Sequence, residues 1–135
     1  MFRVSQEIEF CYGHRLLNYD GKCRFLHGHN GKAVIVLEAA ALDDCGILVD
    51  FSEIRKQMAS WIEGNLDHRM ILNEADPVVQ YLKEQAEPLF LMATNPTAEN
   101  IARVIYEFAK SQRLPVREVS LWESYRSCAT YSEVW

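Results

Sequence analysis

The chain has 135 residues and a formal net charge of −5, and this length predicts a single domain, 1–135, that can bury a core without disulfide or metal staples. Its 49% hydrophobic and 24% charged content excludes a disordered chain, and the acidic balance argues against a nucleic-acid partner. No apolar run is long enough to span a membrane, and the first ten residues lack a signal-peptide core, so we expect a cytoplasmic protein with no membrane partner.

The first third of the sequence predicts two strands joined by a polar loop. Apolar residues alternate over 2–10, which is typical of a half-buried strand. Turn-forming residues mark a loop over 16–25, and the apolar run 34–37 lies at the centre of a second strand over 27–40. From 14 to 32 the chain carries four Lys or Arg against one carboxylate, Asp20. This basic segment is either a solvated loop or an attractant for a small anionic substrate.

The remaining sequence predicts two helices followed by a hairpin. Asp50 and Glu53 fit the capping box of a helix that ends at 64–65. A second helix begins at NPTAEN with Asn95 or Thr97 as its cap, and the segment between Pro77 and Pro88 predicts a short helix. Residues 115–134 read as two antiparallel strands.

The order of the predicted elements, ββααββ, indicates an α+β fold. We expect a four-stranded antiparallel sheet with two helices on one face. Such a sheet leaves two open edges, which proteins cover or pair with another chain. We therefore expect a homo-oligomer.

Three histidines predict a metal site. His27 and His29 are two residues apart at the start of a strand, so both imidazoles project from the same face. A hairpin would bring His14, at the end of the first strand, beside them. Three histidines without a fourth protein ligand describe an open zinc site, with one position for water or substrate. An HxH pair alone is weak, because histidine has many structural roles.

Other residues have the chemistry for proton transfer. Cys23 lies in the basic loop four residues before His27, where cations would favour its thiolate as a base or nucleophile; a buried structural thiol is the alternative. Asp67 precedes His68, and such a pair either orients an imidazole for acid–base catalysis or is a surface pair. Glu123 interrupts an apolar strand, so it lies at a solvated edge or points to a ligand that carries hydrogen-bond donors.

Five short motifs together resemble one family. GHRL, CRFLHGH, LDH, NPTAEN and a late WES are similar in order and spacing to the 6-pyruvoyltetrahydropterin synthase / 6-carboxytetrahydropterin synthase family. The resemblance runs from the first strand to the last hairpin, and all four histidines fall on family positions. It implies the tunnelling fold, in which subunits join their sheets into a barrel and commonly form hexamers.

The resemblance also implies roles for individual residues. His14, His27 and His29 would hold zinc, and Cys23 would be the catalytic base. Asp67 and His68 would complete a proton relay with Cys23, contributed by a neighbouring subunit. Glu123 would anchor the pterin ring, and Thr97 would line the pterin pocket. The family's substrate is 7,8-dihydroneopterin triphosphate, and triphosphate leaves in the reaction.

The spacing between Cys23 and His27 distinguishes the branches of the family. Three residues separate them here, which resembles the bacterial 6-carboxytetrahydropterin synthase of the queuosine pathway; the biopterin-type synthase usually has five. A folate-linked branch commonly replaces the cysteine with glutamate. We therefore expect loss of triphosphate and acetaldehyde, with 6-pyruvoyl product formation as the alternative.

The chain also departs from the family pattern. The family usually has alanine at the positions of Tyr12 and Gly13 and threonine at the position of Ser124, and the segment 73–94 is longer than in short bacterial members. A non-catalytic pterin- or metal-binding module that has kept the fold is the second alternative, and the intact Cys23, Asp67 and His68 count against it. A generic zinc hydrolase is the third alternative, although the sequence has no HExxH motif.

Overall fold

A computed structural model describes residues 1–134, which form one mixed sheet and three α-helices. The strands are β1 (Phe2–His14), β2 (His27–Ala39), β3 (Arg69–Asn73), β4 (Leu89–Met92), β5 (Val116–Ser124) and β6 (Ser127–Tyr131). The helices are α1 (Phe51–Asn65), α2 (Val78–Glu84) and α3 (Ala98–Ser111), and a 3-10 turn covers Lys22–Arg24.

The sheet has six strands in the order β4-β3-β1-β2-β5-β6. The four predicted strands are confirmed as β1, β2, β5 and β6, and their pairings are antiparallel. The prediction of a purely four-stranded antiparallel sheet was wrong, because β3 and β4 add two parallel strands beside β1. These strands have only five and four residues, too short to show a clear period-2 pattern.

Helix α2 connects the two parallel strands and was predicted between Pro77 and Pro88. A parallel pair needs a crossover connection, since a tight turn can join only antiparallel strands. The long segment 73–94 therefore contains the crossover and the outer strand of the sheet. The structure thus has three α-helices, the two of the predicted ββααββ order and this short one.

Asp50 caps helix α1, as predicted, but the expected capping box with Glu53 does not form. The Asp50 carboxylate accepts hydrogen bonds from the backbone N–H and the hydroxyl of Ser52 at 2.8 and 2.6 Å. The Glu53 carboxylate accepts from Gln57 instead, at 2.9 Å, one helical turn further on. Helix α3 is capped by Thr97, whose hydroxyl oxygen accepts from the backbone N–H of Asn100 at 3.2 Å.

One hydrophobic core joins the sheet to α1 and α3. The helices contribute residues at helical spacing, and the central strands contribute every second residue, so a single face of each element is buried. Ile54, Met58 and Ile62 of α1 and Ile101 and Ile105 of α3 are all buried. The α+β architecture is that of the tunnelling fold.

The two edges of the sheet are β4 and β6. Within residues 1–134, each pairs with a neighbour on one side only, which leaves backbone groups for another strand.

Among the helices of the described residues, none is both long and apolar enough to cross a membrane.

Candidate metal and substrate site

The register of β1 and β2 brings the three predicted metal ligands together. His14 lies directly opposite His27, and His29 lies opposite Tyr12, so all four side chains share one face of the sheet. One nitrogen from each of the three imidazoles lies within 4.8 Å of the others. The ring centroids are 4.5 to 5.1 Å apart. The three histidines predicted from the sequence form one cluster.

Backbone carbonyls orient two of the imidazoles. Nδ1 of His14 lies 2.7 Å from the carbonyl oxygen of Pro96, and Nδ1 of His27 lies 2.7 Å from that of Phe25. A carbonyl can only accept, so Nδ1 carries the proton and the Nε2 lone pair is free for a metal ion. The Nε2 atoms of all three histidines are buried and have no hydrogen-bond partner among residues 1–134.

The environment favours neutral imidazole at the centre of the cluster. His14 is 1% exposed, and burial lowers its pKa, an effect only partly opposed by the bond to Pro96. Metal ions bind the neutral imidazole. The three buried, unpartnered nitrogen donors fit a divalent metal ion such as zinc. Within residues 1–134, the cluster contains no fourth histidine or cysteine.

Glu123 faces the cluster from β5. Its carboxylate oxygens lie 3.9 Å from Nε2 of His14 and 3.8 Å from Nε2 of His29. The Glu123 side chain is 27% exposed, so it is partly buried beside the histidines and is not at a fully solvated edge. Among the ion pairs of residues 1–134, Glu123 is the acidic residue that faces the three-histidine cluster.

A cavity of about 320 Å³ joins four of the predicted site residues. His14, Cys23, Thr97 and Glu123 all line it. The backbone carbonyl of Cys23 accepts from the N–H of Leu16 at 2.9 Å, which fixes the 3-10 turn beside the end of β1. The cavity is therefore bounded by the Cys23 turn, the start of α3 and the end of β5.

Asp67 and His68 do not line the cavity that contains Cys23. Oδ2 of Asp67 is 2.9 Å from Nδ1 of His68, and its Oδ1 accepts from the backbone N–H of Cys11 at 2.9 Å. Burial raises the pKa of Asp67, but these hydrogen bonds outweigh it and lower the pKa overall. His68 is exposed and lines a cavity of about 720 Å³ with His27 and His29, but without Cys23. One chain thus does not bring His68 into the Cys23 cavity.

The basic segment is partly neutralised by local partners. Arg15 forms a two-pronged ion pair with Asp76, at 2.7 and 2.5 Å, and Lys32 lies 3.6 Å from Glu7. Arg24 stacks on the ring of Phe25 at 4.4 Å. Lys22 and Arg24 flank Cys23 in the sequence, and both are exposed. They are therefore the cations of this segment that lie closest in sequence to the thiol predicted to react.

Sequence reasoning missed several groups around the site. Tyr12 packs its ring against His14 and His29, with centroids 5.2 and 5.7 Å apart. The contact of the Pro96 carbonyl with His14 could not be predicted from the sequence, because every residue has a backbone carbonyl. Cys128 lines the same cavity as Cys23, and only the hairpin register, Trp122 opposite Cys128, could have placed it there.

The fold and the cluster define a tunnelling-fold protein with a three-histidine site that could hold a metal ion. The chain belongs to the family described as 6-pyruvoyl tetrahydropterin synthase, whose pattern it matches over residues 3–134. Membership of this family supports a lyase-type enzyme of pterin chemistry.

Two relatives illustrate the similarity in sequence. The chain is 32% identical over 131 residues to the 6-carboxy-5,6,7,8-tetrahydropterin synthase of Rickettsia bellii, covering 92% of this chain and 95% of that protein. It is 38% identical over 104 residues to the protein of the same name from Rickettsia felis, covering 76% and 75%.

Two solved structures share the fold. An uncharacterized protein from Wolinella succinogenes superposes with a TM-score of 0.83 at 24% identity, over 98% of each chain. The 6-pyruvoyl tetrahydropterin synthase of Caenorhabditis elegans has a TM-score of 0.71 at 24% identity, over 97% of this chain and 94% of that one.

Proposed function

We propose that this protein is a zinc-dependent carbon–carbon lyase of the cytoplasm. It converts 7,8-dihydroneopterin triphosphate and one water molecule to 6-carboxy-5,6,7,8-tetrahydropterin, triphosphate and acetaldehyde, a step toward queuosine. The observation that carries the proposal is the cluster of three buried histidine Nε2 atoms without partners among residues 1–134. One of these histidines, His14, lines the same cavity as Cys23 and Glu123. The relatives named 6-carboxy-5,6,7,8-tetrahydropterin synthase support the choice of product.

His14, His27 and His29 would hold the zinc ion through their Nε2 atoms. When bound, zinc supplies Lewis acidity to the side-chain oxygens of the pterin and makes the adjacent C–H and O–H bonds more acidic. Pro96 and Phe25 keep two of the rings in the tautomer that zinc needs, through their carbonyls.

Glu123 and Thr97 bind and orient the pterin in this proposal. A carboxylate accepts two hydrogen bonds side by side, which matches the 2-amino and N3 hydrogens of a pterin ring. Glu123 and Thr97, which caps α3, line the same cavity. Because the carboxylate also lies within 4 Å of two zinc-binding nitrogens, the ring's side chain would be held close to the histidines.

Cys23 removes a proton from the substrate, and Asp67 and His68 complete the relay. The Asp67–His68 bond of 2.9 Å orients the imidazole and stabilises its protonated form. Since His68 and Cys23 line different cavities of one chain, we infer that the relay forms between neighbouring subunits of a homo-oligomer. A hexamer that pairs the free edges of β4 and β6 would close the sheets into a barrel.

The alternative product is the 6-pyruvoyl pterin, formed by eliminating triphosphate alone. The description of the matching family favours it, whereas three residues between Cys23 and His27 favour the carboxy product. A non-catalytic pterin-binding protein would keep the cavity without turnover.

Incubation of zinc-loaded protein with 7,8-dihydroneopterin triphosphate tests the proposal. We expect triphosphate release that stops when the zinc is removed by a chelator and resumes when zinc is returned. Pterin binding without triphosphate release would favour the non-catalytic alternative, and neither binding nor release would overturn the proposed function.

A further inference from the structure

Tyr12 has a buried hydroxyl at the base of the histidine cluster. The side chain is 3% exposed, and its hydroxyl has no hydrogen-bond partner among residues 1–134. Its ring lies edge-on to His14 and tilted against His29. A buried hydroxyl without a partner is destabilising, and phenylalanine would fill the same space without that cost. The hydroxyl therefore has a free donor, and residues 1–134 of the metal-free chain provide no acceptor for it.

Gly31 allows the Tyr12 ring to extend toward β5. A Cβ atom at Gly31 would lie 2.7 Å from Cε1 of Tyr12, closer than real Cβ contacts, so the ring occupies the space that a side chain would need. On the other side of β2, Lys32 pairs with Trp122. This is the last pair of the β2–β5 ladder, and the next residues along the two strands are Gly31 and Glu123. The Tyr12 ring thus lies beside Gly31, at the end of the ladder that Glu123 follows in β5.

Glu123 is a carboxylate acceptor at the same histidine cluster. Its carboxylate contacts the same two imidazoles as the Tyr12 ring, at 3.9 Å from His14 and 3.8 Å from His29. The Nδ1 proton of His14 is directed at Pro96, so its Nε2 presents a lone pair and donates nothing to the carboxylate. A divalent cation held by the three Nε2 atoms would attract the carboxylate further into the cluster.

We propose that Tyr12 is a positioning residue: its hydroxyl donates a hydrogen bond to the Glu123 carboxylate once the three histidines hold a metal ion. The bond fixes the direction of the carboxylate beside the cluster. This inference rests on the metal site proposed above, but it does not depend on the identity of the pterin product.

Zinc affinity, measured by competition with a chelator, tests the proposal without any substrate. A bond that forms only in the loaded state contributes to metal affinity, so Tyr12→Phe weakens zinc binding by about 10- to 100-fold. The metal-free Tyr12→Phe protein melts at the same temperature as the parent or above it, because it loses an unpaired buried hydroxyl. Tyr106→Phe is the matched control, since Tyr106 is also buried but packs against Tyr131, and it leaves zinc affinity unchanged.

The partner of Tyr12 is identified by a double-mutant cycle with Glu123→Ala, which removes the acceptor. We expect Tyr12→Phe to weaken zinc binding in the parent protein and to have no further effect in the Glu123→Ala background. Zinc affinity of Tyr12→Phe within twofold of the parent, or an equal loss in both backgrounds, overturns the positioning role while leaving the metal site intact. A parent protein that binds no zinc overturns the proposed metal site itself, and the inference with it.

Discussion

Nδ1 of His14 lies 2.7 Å from the carbonyl oxygen of Pro96, a residue 82 positions further along the chain. This contact links the end of β1 to the loop that precedes α3. The side chain of Asn95 reinforces it by bonding to both the N–H and the carbonyl of Leu17, at 3.0 and 2.9 Å. The tautomer of one proposed metal ligand is thus set by a segment far away in sequence, before any metal binds.

Each of the three clustered histidines is expected to be necessary for metal binding. His29→Ala removes one of three nitrogen donors, so we expect zinc affinity to fall by at least about 100-fold relative to the parent. His68→Ala is the matched control, because His68 is 78% exposed and bonds to Asp67 rather than to the cluster. Metal content after dialysis measures both variants. Equal zinc content in the two would contradict the assignment of the ligands.

Cys23 is expected to act in the reaction and not in metal binding. Cys23→Ala should keep one zinc per chain but lose about 10²- to 10⁴-fold in turnover, the range attributed to a general base. Cys45→Ala serves as the control, since Cys45 is an exposed thiol in the loop after β2. Triphosphate release reports the rate. A Cys23→Ala enzyme with the turnover of the Cys45→Ala enzyme would remove Cys23 from the mechanism.

Cys23 and His68 are expected to meet across a subunit interface, because one chain places them in separate cavities. Co-expressing Cys23→Ala and His68→Ala chains should then restore part of the activity that each variant lacks alone. In a mixed oligomer, some sites receive an intact Cys23 from one chain and an intact His68 from the other. Mixed oligomers, verified by two affinity tags, that remain as inactive as the separate variants would place the relay within one chain.

The Arg15–Asp76 ion pair is expected to stabilise the crossover segment against β1. Asp76 is buried and also accepts from the backbone N–H of Val78 at 2.9 Å. Asp76→Asn should lower the free energy of unfolding by about 1.5–3 kcal/mol at neutral pH, the value typical of hydrogen bonds to charged groups. Asp44→Asn, at an exposed loop position, should change it little. Urea unfolding measures both.

The Arg15–Asp76 ion pair is also expected to make the free energy of unfolding depend on pH. The hydrogen bonds from Arg15, opposed in part by burial, lower the pKa of Asp76. A carboxyl with a lowered pKa stabilises the fold fully above its ordinary pKa of about 4, and this contribution is lost as the pH falls through the lowered value. The difference between the parent and Asp76→Asn should be constant above about pH 4 and shrink below it. A constant difference down to acid unfolding would exclude this linkage.

The sequence predicted the parts of the fold that have strong periodic signals. The long strands β1 and β2, helices α1 and α3 and the final hairpin all appear where expected, because alternation and helical spacing are local properties. Strands β3 and β4 were missed, since runs of five and four residues take their strand conformation from parallel neighbours. Thr97, not Asn95, caps α3, and the Asn95 side chain instead binds Leu17.

The candidate site was predictable where it depends on side-chain type and on one hairpin register. His14, His27 and His29 needed only the pairing of β1 with β2 to form a cluster. The contact of the Pro96 carbonyl with His14 and the burial of the Tyr12 hydroxyl depend on tertiary packing. These features have no local sequence signal, so only the structure could supply them.

The product formed from 7,8-dihydroneopterin triphosphate by the zinc-loaded protein tests the central claim most directly. Mass analysis should find 6-carboxy-5,6,7,8-tetrahydropterin together with acetaldehyde and triphosphate. Accumulation of the 6-pyruvoyl pterin without acetaldehyde would contradict the proposed carbon–carbon bond cleavage, and unchanged substrate would contradict lyase activity on this pterin altogether.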